Sequence, residues 1–118
     1  MIKEMLDSLD SGDIDVYVGY FAPDGMFRFG NLEPVKGRQA IADSCASFTS
    51  LIKGLRHRVL DSWSVSDVTI LKTEVDYVRL DLNTATVPLA IIITRHDGLV
   101  TDYAIYGDVS PVFDEIPN

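Results

Sequence analysis

Tyr20-Phe21-Ala22-Pro23-Asp24-Gly25-Met26-Phe27-Arg28-Phe29 is the stretch on which the fold turns. An apolar helical face runs out at Phe21. Pro23 presets one backbone dihedral and Gly25 accepts a positive one, so Pro23-Asp24-Gly25 reads as a turn. Met26 to Phe29 then reads as a short aromatic strand.

Upstream, Ile2, Met5, Leu6 and Leu9 share one helical face, and Gly12 ends that helix. Asp13 is placed to cap a second helix that carries Ile14, Tyr17, Val18 and Phe21 on one side. Downstream, residues 31–36 form a loop around Pro34, and Gly37 opens a third helix. Its apolar stripe is Ile41, Cys45, Phe48, Ile52 and Leu55, loosened near the end by Gly54. The rest is strand-like, over residues 56–64, 68–81, 86–95 and 99–107, with connectors at 66–67, 82–85 and 96–98. Helices first and an antiparallel meander after imply an α+β fold, with three N-terminal helices packed on a strongly curved antiparallel sheet.

A chain of 118 residues with 47% hydrophobic content fits one domain with one core, spanning 1–118. Eighteen acidic residues against 10 basic ones, a formal charge of -8, would repel phosphate-rich partners. Nucleic acid and anionic membrane are therefore excluded as expected partners. The longest apolar run, from Val87 to Ile93, is too short to span a bilayer. No secretory leader is visible, and a single cysteine, Cys45, fits a reducing compartment; the expected location is the cytoplasm. Two distant histidines and one cysteine give no metal-ligand spacing, and no glycine-rich phosphate loop is present, so no metal or cofactor is expected.

The order of elements and several short motifs resemble the SnoaL-like branch of the nuclear transport factor two-like superfamily. The motifs are Phe21-Ala22-Pro23-Asp24-Gly25, Gly37-Arg38, His57 near a strand start, Trp63, Val75-Asp76-Tyr77-Val78-Arg79, Val87-Pro88-Leu89, Asp97-Gly98-Leu99-Val100 and Tyr106-Gly107-Asp108. The resemblance covers Met5 to Phe113 and implies a cone-shaped α+β barrel around a small-molecule pocket. It also implies a homodimer through the outer sheet face, where residues such as Val78, Leu80, Ile91 and Ile93 would lie. Activity does not follow from it, because the fold hosts isomerases, cyclases, epoxide hydrolases, dehydratases and inert binders.

The acids that relatives use are replaced. The aspartate base of ketosteroid isomerases falls on Phe29 and their oxyanion tyrosine on Met5. In the epoxide-hydrolase relay, the tyrosine and asparagine fall on Phe27 and Phe29, and the Asp-Arg-Asp set near Val75, Tyr77 and Ile105. The cyclase aspartate falls on Ile92. A phenyl ring and a thioether cannot move a proton, and none of the replacements could activate water as that relay does. A strand slip of one residue would exchange faces and bring Asp76 or Asp102 inward.

Strand alternation places Val75, Tyr77, Arg79 and Asp81 on one face, and His57, Val59, Asp61 and Trp63 on one face of the preceding strand. His57 is the candidate general acid or base, or else a structural histidine. Tyr77 is the candidate oxyanion donor, or a core aromatic with its hydroxyl at the rim. Arg79 could hold a carbonyl or carboxylate, or be an exposed strand-end charge. Asp108 could orient the base or cap the chain's exit. Phe27, Phe29, Trp63, Ile92 and Ile105 are the candidate pocket wall. The expected function is binding of a compact apolar or aromatic metabolite, with cofactor-free isomerisation, cyclisation or dehydration as its catalytic form. Binding without turnover, or service as a dimeric accessory protein, are the alternatives.

Overall fold

The computed structural model of the chain describes residues 1–114. Two short helices come first, α1 (Ile2–Asp10) and α2 (Ile14–Gly19), then β1 (Phe21–Phe29) and β2 (Val35–Lys36). Helix α3 (Arg38–Thr49) precedes four long strands, β3 (Ile52–Val65), β4 (Val68–Arg79), β5 (Thr84–His96) and β6 (Leu99–Tyr106), and a 3₁₀ turn at Ser110–Val112. The strands form one α+β sheet in the order β2-β1-β6-β5-β4-β3. It has two edges, β2 and β3, and is not closed into the expected barrel. Nor is it wholly antiparallel: β1 runs parallel to β6.

The chain entry follows the local chemistry. The Asp13 carboxylate accepts the Val16 amide and so caps α2, as expected. Pro23-Asp24-Gly25 lies within β1, where the pairing with β6 shifts between Phe21 and Met26, instead of ending a helix before a four-residue strand. Gly25 is required there by close approach: a Cβ would sit 2.9 Å from the Val100 carbonyl oxygen. Gly37, at φ 94°, occupies the left-handed region as the cap of α3, and its amide bonds the Gly25 carbonyl at 2.8 Å. The next residue, Arg38, donates from Nε and Nη2 to the Phe21 carbonyl at 2.9 and 2.7 Å, which staples α3 to the start of β1.

Helix α3 ends earlier than its apolar stripe suggests. Ile52 and Leu55 belong to β3. Thr49 and Ser50 are poor interior helix residues, and their hydroxyls bond the Ala46 and Ser47 carbonyls and occupy the helix end. Ile52 still enters the core, so the apolar spacing was right about burial and wrong about the backbone.

One sheet face carries the helices. Leu71, Thr73, Val75 and Tyr77 of β4 and Val87, Leu89, Ile91 and Ile93 of β5 are buried on it. Ile91 and Ile93 therefore face inward, contrary to the expectation that they form the outer face. The alternate residues Ile70, Lys72, Glu74 and Asp76 of β4 and Pro88, Ala90 and Ile92 of β5 pair with one another on the other side. No helix among the described residues is long and apolar enough to cross a membrane.

Candidate functional site

An apolar cavity of about 580 Å³ lies between α2, α3 and the helix-covered face of the sheet. Its wall is aromatic. Phe27 stacks on Tyr103 with centroids 5.5 Å apart, and Tyr17 meets Tyr103 edge-on at 5.9 Å. On the α3 side, Phe48 packs against Phe29 at 4.9 Å, Tyr77 at 5.8 Å and Phe113 at 6.0 Å. Leu32, Leu51 and Phe113 line the mouth and are exposed, while Tyr17 is wholly buried at the inner end. An apolar cavity of this size with a few convergent polar groups is the usual form of a small-molecule site.

The polar groups at the inner end are the phenols of Tyr17 and Tyr77 and the thiol of Cys45, with the phenol of Tyr103 packed behind the wall against Phe27 and Tyr17. Burial above all pushes Tyr17 well above the ordinary phenol value, with Tyr103, Cys45 and Asp10 adding to it. Burial likewise raises Tyr77, helped by Asp10, and raises Tyr103. The buried Cys45 thiol is pushed up to about 11 by desolvation. All four groups therefore stay protonated at neutral pH and can act as donors, not bases. The hydroxyls of Tyr17 and Tyr103 are buried close enough to shift one another's titration through hydrogen bonding as well as charge, yet neither reaches a partner at ordinary hydrogen-bond geometry. An unpartnered buried hydroxyl costs stability, so each of these two calls for an explanation.

The expected site residues divide. Phe27, Phe29, Tyr77, Ile105 and Asp108 line this cavity. Asp108 stands at the mouth, where its carboxylate accepts both the Ser110 amide and the Ser110 hydroxyl; these bonds hold its pKa below the ordinary carboxylate value. His57, Arg79, Trp63 and Ile92 do not line it.

Each departure has a local cause. His57 is on the helix-covered side, but α1 covers it: its Nδ1 lies 2.6 Å from one Asp10 oxygen, and its amide donates to the other at 2.8 Å. Arg79 is spent on the β4–β5 turn, pairing with Asp81 at 3.2 Å and donating to the Pro111 carbonyl at 2.9 Å. Trp63 is moved by an irregularity in the pairing between Val59 and Asp61. Before it Val59 pairs with inward Thr73; after it Trp63 pairs with outward Ile70, so Trp63 is 51% exposed on the outer face. Ile92 alternates with Ile91 and Ile93 and faces outward with Tyr106 and Asp102. Asp76 is also outward, paired with Arg58, so neither alternative aspartate enters the cavity.

Two residues of this region were not singled out in the sequence. Tyr17 was read only as one apolar position of α2, although it alone among Ile14, Tyr17, Val18 and Phe21 carries a hydroxyl. Asp10 had a signal too: a carboxylate in the last turn opposes the helix dipole, so it needs a partner elsewhere. Among the described residues no cluster of His, Cys, Asp or Glu is arranged to hold a metal ion.

Residues 2–103 match the model of the SnoaL-like domain, and the chain belongs to that family. Solved structures agree on the fold. A protein with a ketosteroid isomerase-like fold from Catenulispora acidiphila DSM 44928, in complex with trimethylamine, superposes with TM-score 0.86 at 15% identity, covering 94% of this chain and 87% of that one. A candidate SnoaL-like polyketide cyclase from Jannaschia sp. CCS1 gives 0.82 at 17% identity, covering 95% and 85%. An epoxide hydrolase from M. tuberculosis, similar to limonene epoxide hydrolase, gives 0.79 at 13% identity, covering 95% and 83%. No relative was found among curated proteins.

Proposed function

We propose that this protein binds a compact apolar or aromatic metabolite in the cavity, with an oxygen of the ligand accepting a hydrogen bond from Tyr17. The observation that carries this reading is the buried, unpartnered Tyr17 hydroxyl in an otherwise aromatic wall. A carbonyl or phenol oxygen would satisfy it, while the ring or alkyl body would replace water against Phe27, Phe29, Phe48 and Ile105. The complex of the Catenulispora protein with trimethylamine supports a compact ligand in this fold.

The same donor is half of an acid–base mechanism. A neutral phenol beside a carbonyl in a dry cavity stabilises a developing enolate, the intermediate shared by isomerisation, cyclisation and dehydration. Tyr77 is a second donor on the same wall. The missing half is a base: among the described residues, the one carboxylate lining the cavity is Asp108, at the mouth, with its pKa lowered. That carboxylate already accepts the Ser110 amide and hydroxyl, which lowers its basicity, so the arrangement favours binding over turnover. Turnover would proceed without a cofactor, through Asp108.

The partner proposed for the outer face is a second copy of the chain. Leu60, Trp63, Ile70 and Tyr106 are each more than a third exposed there, beside Pro88, Ala90 and Ile92. An apolar sheet face of this extent needs a cover. The free, buried Cys45 is compatible with the reducing cytoplasm as the setting.

The binding reading is tested by calorimetric titration with 1-naphthol and with naphthalene. Tyr17→Phe should weaken 1-naphthol by about tenfold, one hydrogen bond's worth, and leave naphthalene unchanged. Equal loss for both probes, or loss for neither, would reject Tyr17 as the anchor.

A further inference from the structure

A second cleft of about 580 Å³ lies between α1 and the far half of the β3–β4 hairpin, away from the aromatic cavity. We propose that it is a separate binding site for a small carboxylic acid with an apolar body. The argument starts from Arg95, half-buried near the end of β5. Arg38, Arg58 and Arg79 spend their guanidinium groups on a carbonyl or a carboxylate. Arg95 has no carboxylate partner among the described residues; its Nη1 meets only the Met1 sulfur, at 3.1 Å. A thioether is a weak acceptor for a charged donor.

The other charges around the cleft are already matched, the Met1 ammonium to Glu4 at 2.6 Å among them. Lys3 and Asp7, which both line it, pair at 3.1 Å. Asp10 is committed to His57. The surplus in the cleft is therefore one guanidinium, whose fork suits a carboxylate.

His57 also lines the cleft, with a side chain only 5% exposed. Since Asp10 holds Nδ1, the imidazole atom left for a ligand is Nε2. Ser62 adds a hydroxyl, while Ser64 and Thr69 bond one another at 3.0 Å. Leu6, Val59 and Leu71 supply an apolar floor. A bare inorganic anion would leave that floor wet, which is why the ligand is assigned an apolar body.

The test is a titration of ¹⁵N-labelled protein with sodium benzoate, and separately with inorganic phosphate, at constant ionic strength. Benzoate should give saturable amide shifts at Ser62, Ser64, Thr69 and Arg95. Arg95→Gln should weaken it by about tenfold or more, the loss of one charge-assisted pair, and Arg95→Lys by less. Tyr17→Phe should leave it unchanged, which separates this site from the aromatic cavity. The proposal is overturned by an absence of saturable shifts there, by equal affinity in Arg95→Gln, or by phosphate binding as tightly as benzoate. Shifts confined to Ser44, Ser47 and Thr49 would place benzoate in the other cavity and overturn it equally.

Discussion

Asp10 and His57, 47 residues apart in sequence, are joined twice: the carboxylate accepts both the imidazole Nδ1–H at 2.6 Å and the His57 amide at 2.8 Å. The pair ties the end of α1 to β3 and fixes where the helix lies over the sheet. It also separates the two clefts, because α1 stands between His57 and the aromatic cavity. Asp10→Ala leaves a buried imidazole N–H and a backbone amide without an acceptor. The expected cost is about 1.5–3 kcal/mol, which for a chain of this size lowers Tm by roughly 5–12 °C. Circular dichroism melts check it; an unchanged Tm would mean that the pair does not hold α1.

Tyr103 predicts the opposite sign. Its hydroxyl is buried and unpartnered, and the ring is held by stacking on Phe27. Tyr103→Phe removes an unsatisfied polar atom and keeps the ring, so the ligand-free protein should gain up to about 1 kcal/mol. A clear loss of stability in urea denaturation would show that the hydroxyl has a partner, such as a trapped water.

Acid stability depends on Asp76. Hydrogen bonds from Arg58, foremost, and from Thr86 lower its pKa from 3.8 to about 2. A depressed folded-state pKa stabilises above the unfolded value and is lost as pH falls through the folded one. Asp76→Asn should therefore lower stability at neutral pH and flatten its pH dependence between about 4 and 2. An acid limb identical to that of the parent protein would dispose of this assignment.

Cys45 should be slow to react. Raising the thiol from 9.0 to about 11 cuts the thiolate fraction at pH 8 by roughly a hundredfold. Iodoacetamide should label native protein far more slowly than unfolded protein, and a ligand in the cavity should slow it further. Labelling at the unfolded rate would mean that α3 opens readily. By the same linkage, the raised thiol contributes stability that is complete below pH 9 and is lost as pH rises towards 11.

The outer face gives the last prediction. Trp63→Asp should leave the cavity intact, since Trp63 does not line it, and convert the proposed dimer to monomer. Sedimentation velocity distinguishes the outcomes. A parent protein already monomeric at high concentration would reject the dimer itself.

Much of the framework was legible because it is written in short-range chemistry. Asp13 caps, Gly37 opens α3, and the expected connectors at 66–67, 82–85 and 96–98 contain the turns, although Thr84, Ala85 and His96 already belong to β5. Period-2 alternation likewise put Val75 and Tyr77 on one face, and both are buried. The order of helical and alternating patterns carried the α+β class, and the family resemblance carried the expectation of a pocket. What the tertiary structure alone decided was which candidates share that pocket. One irregularity between Val59 and Asp61 turns Trp63 outward, and only the packing of β3 on β4 reveals it. Ile52 and Leu55 satisfied a helical stripe equally well as strand residues, because burial constrains the side chain and not the backbone. His57 looked like a pocket base until Asp10, 47 residues earlier, brought α1 over it. Sequence determines local propensity at each position; the long-range pairings that aim a side chain at one cleft or the other are settled only when the whole chain has packed.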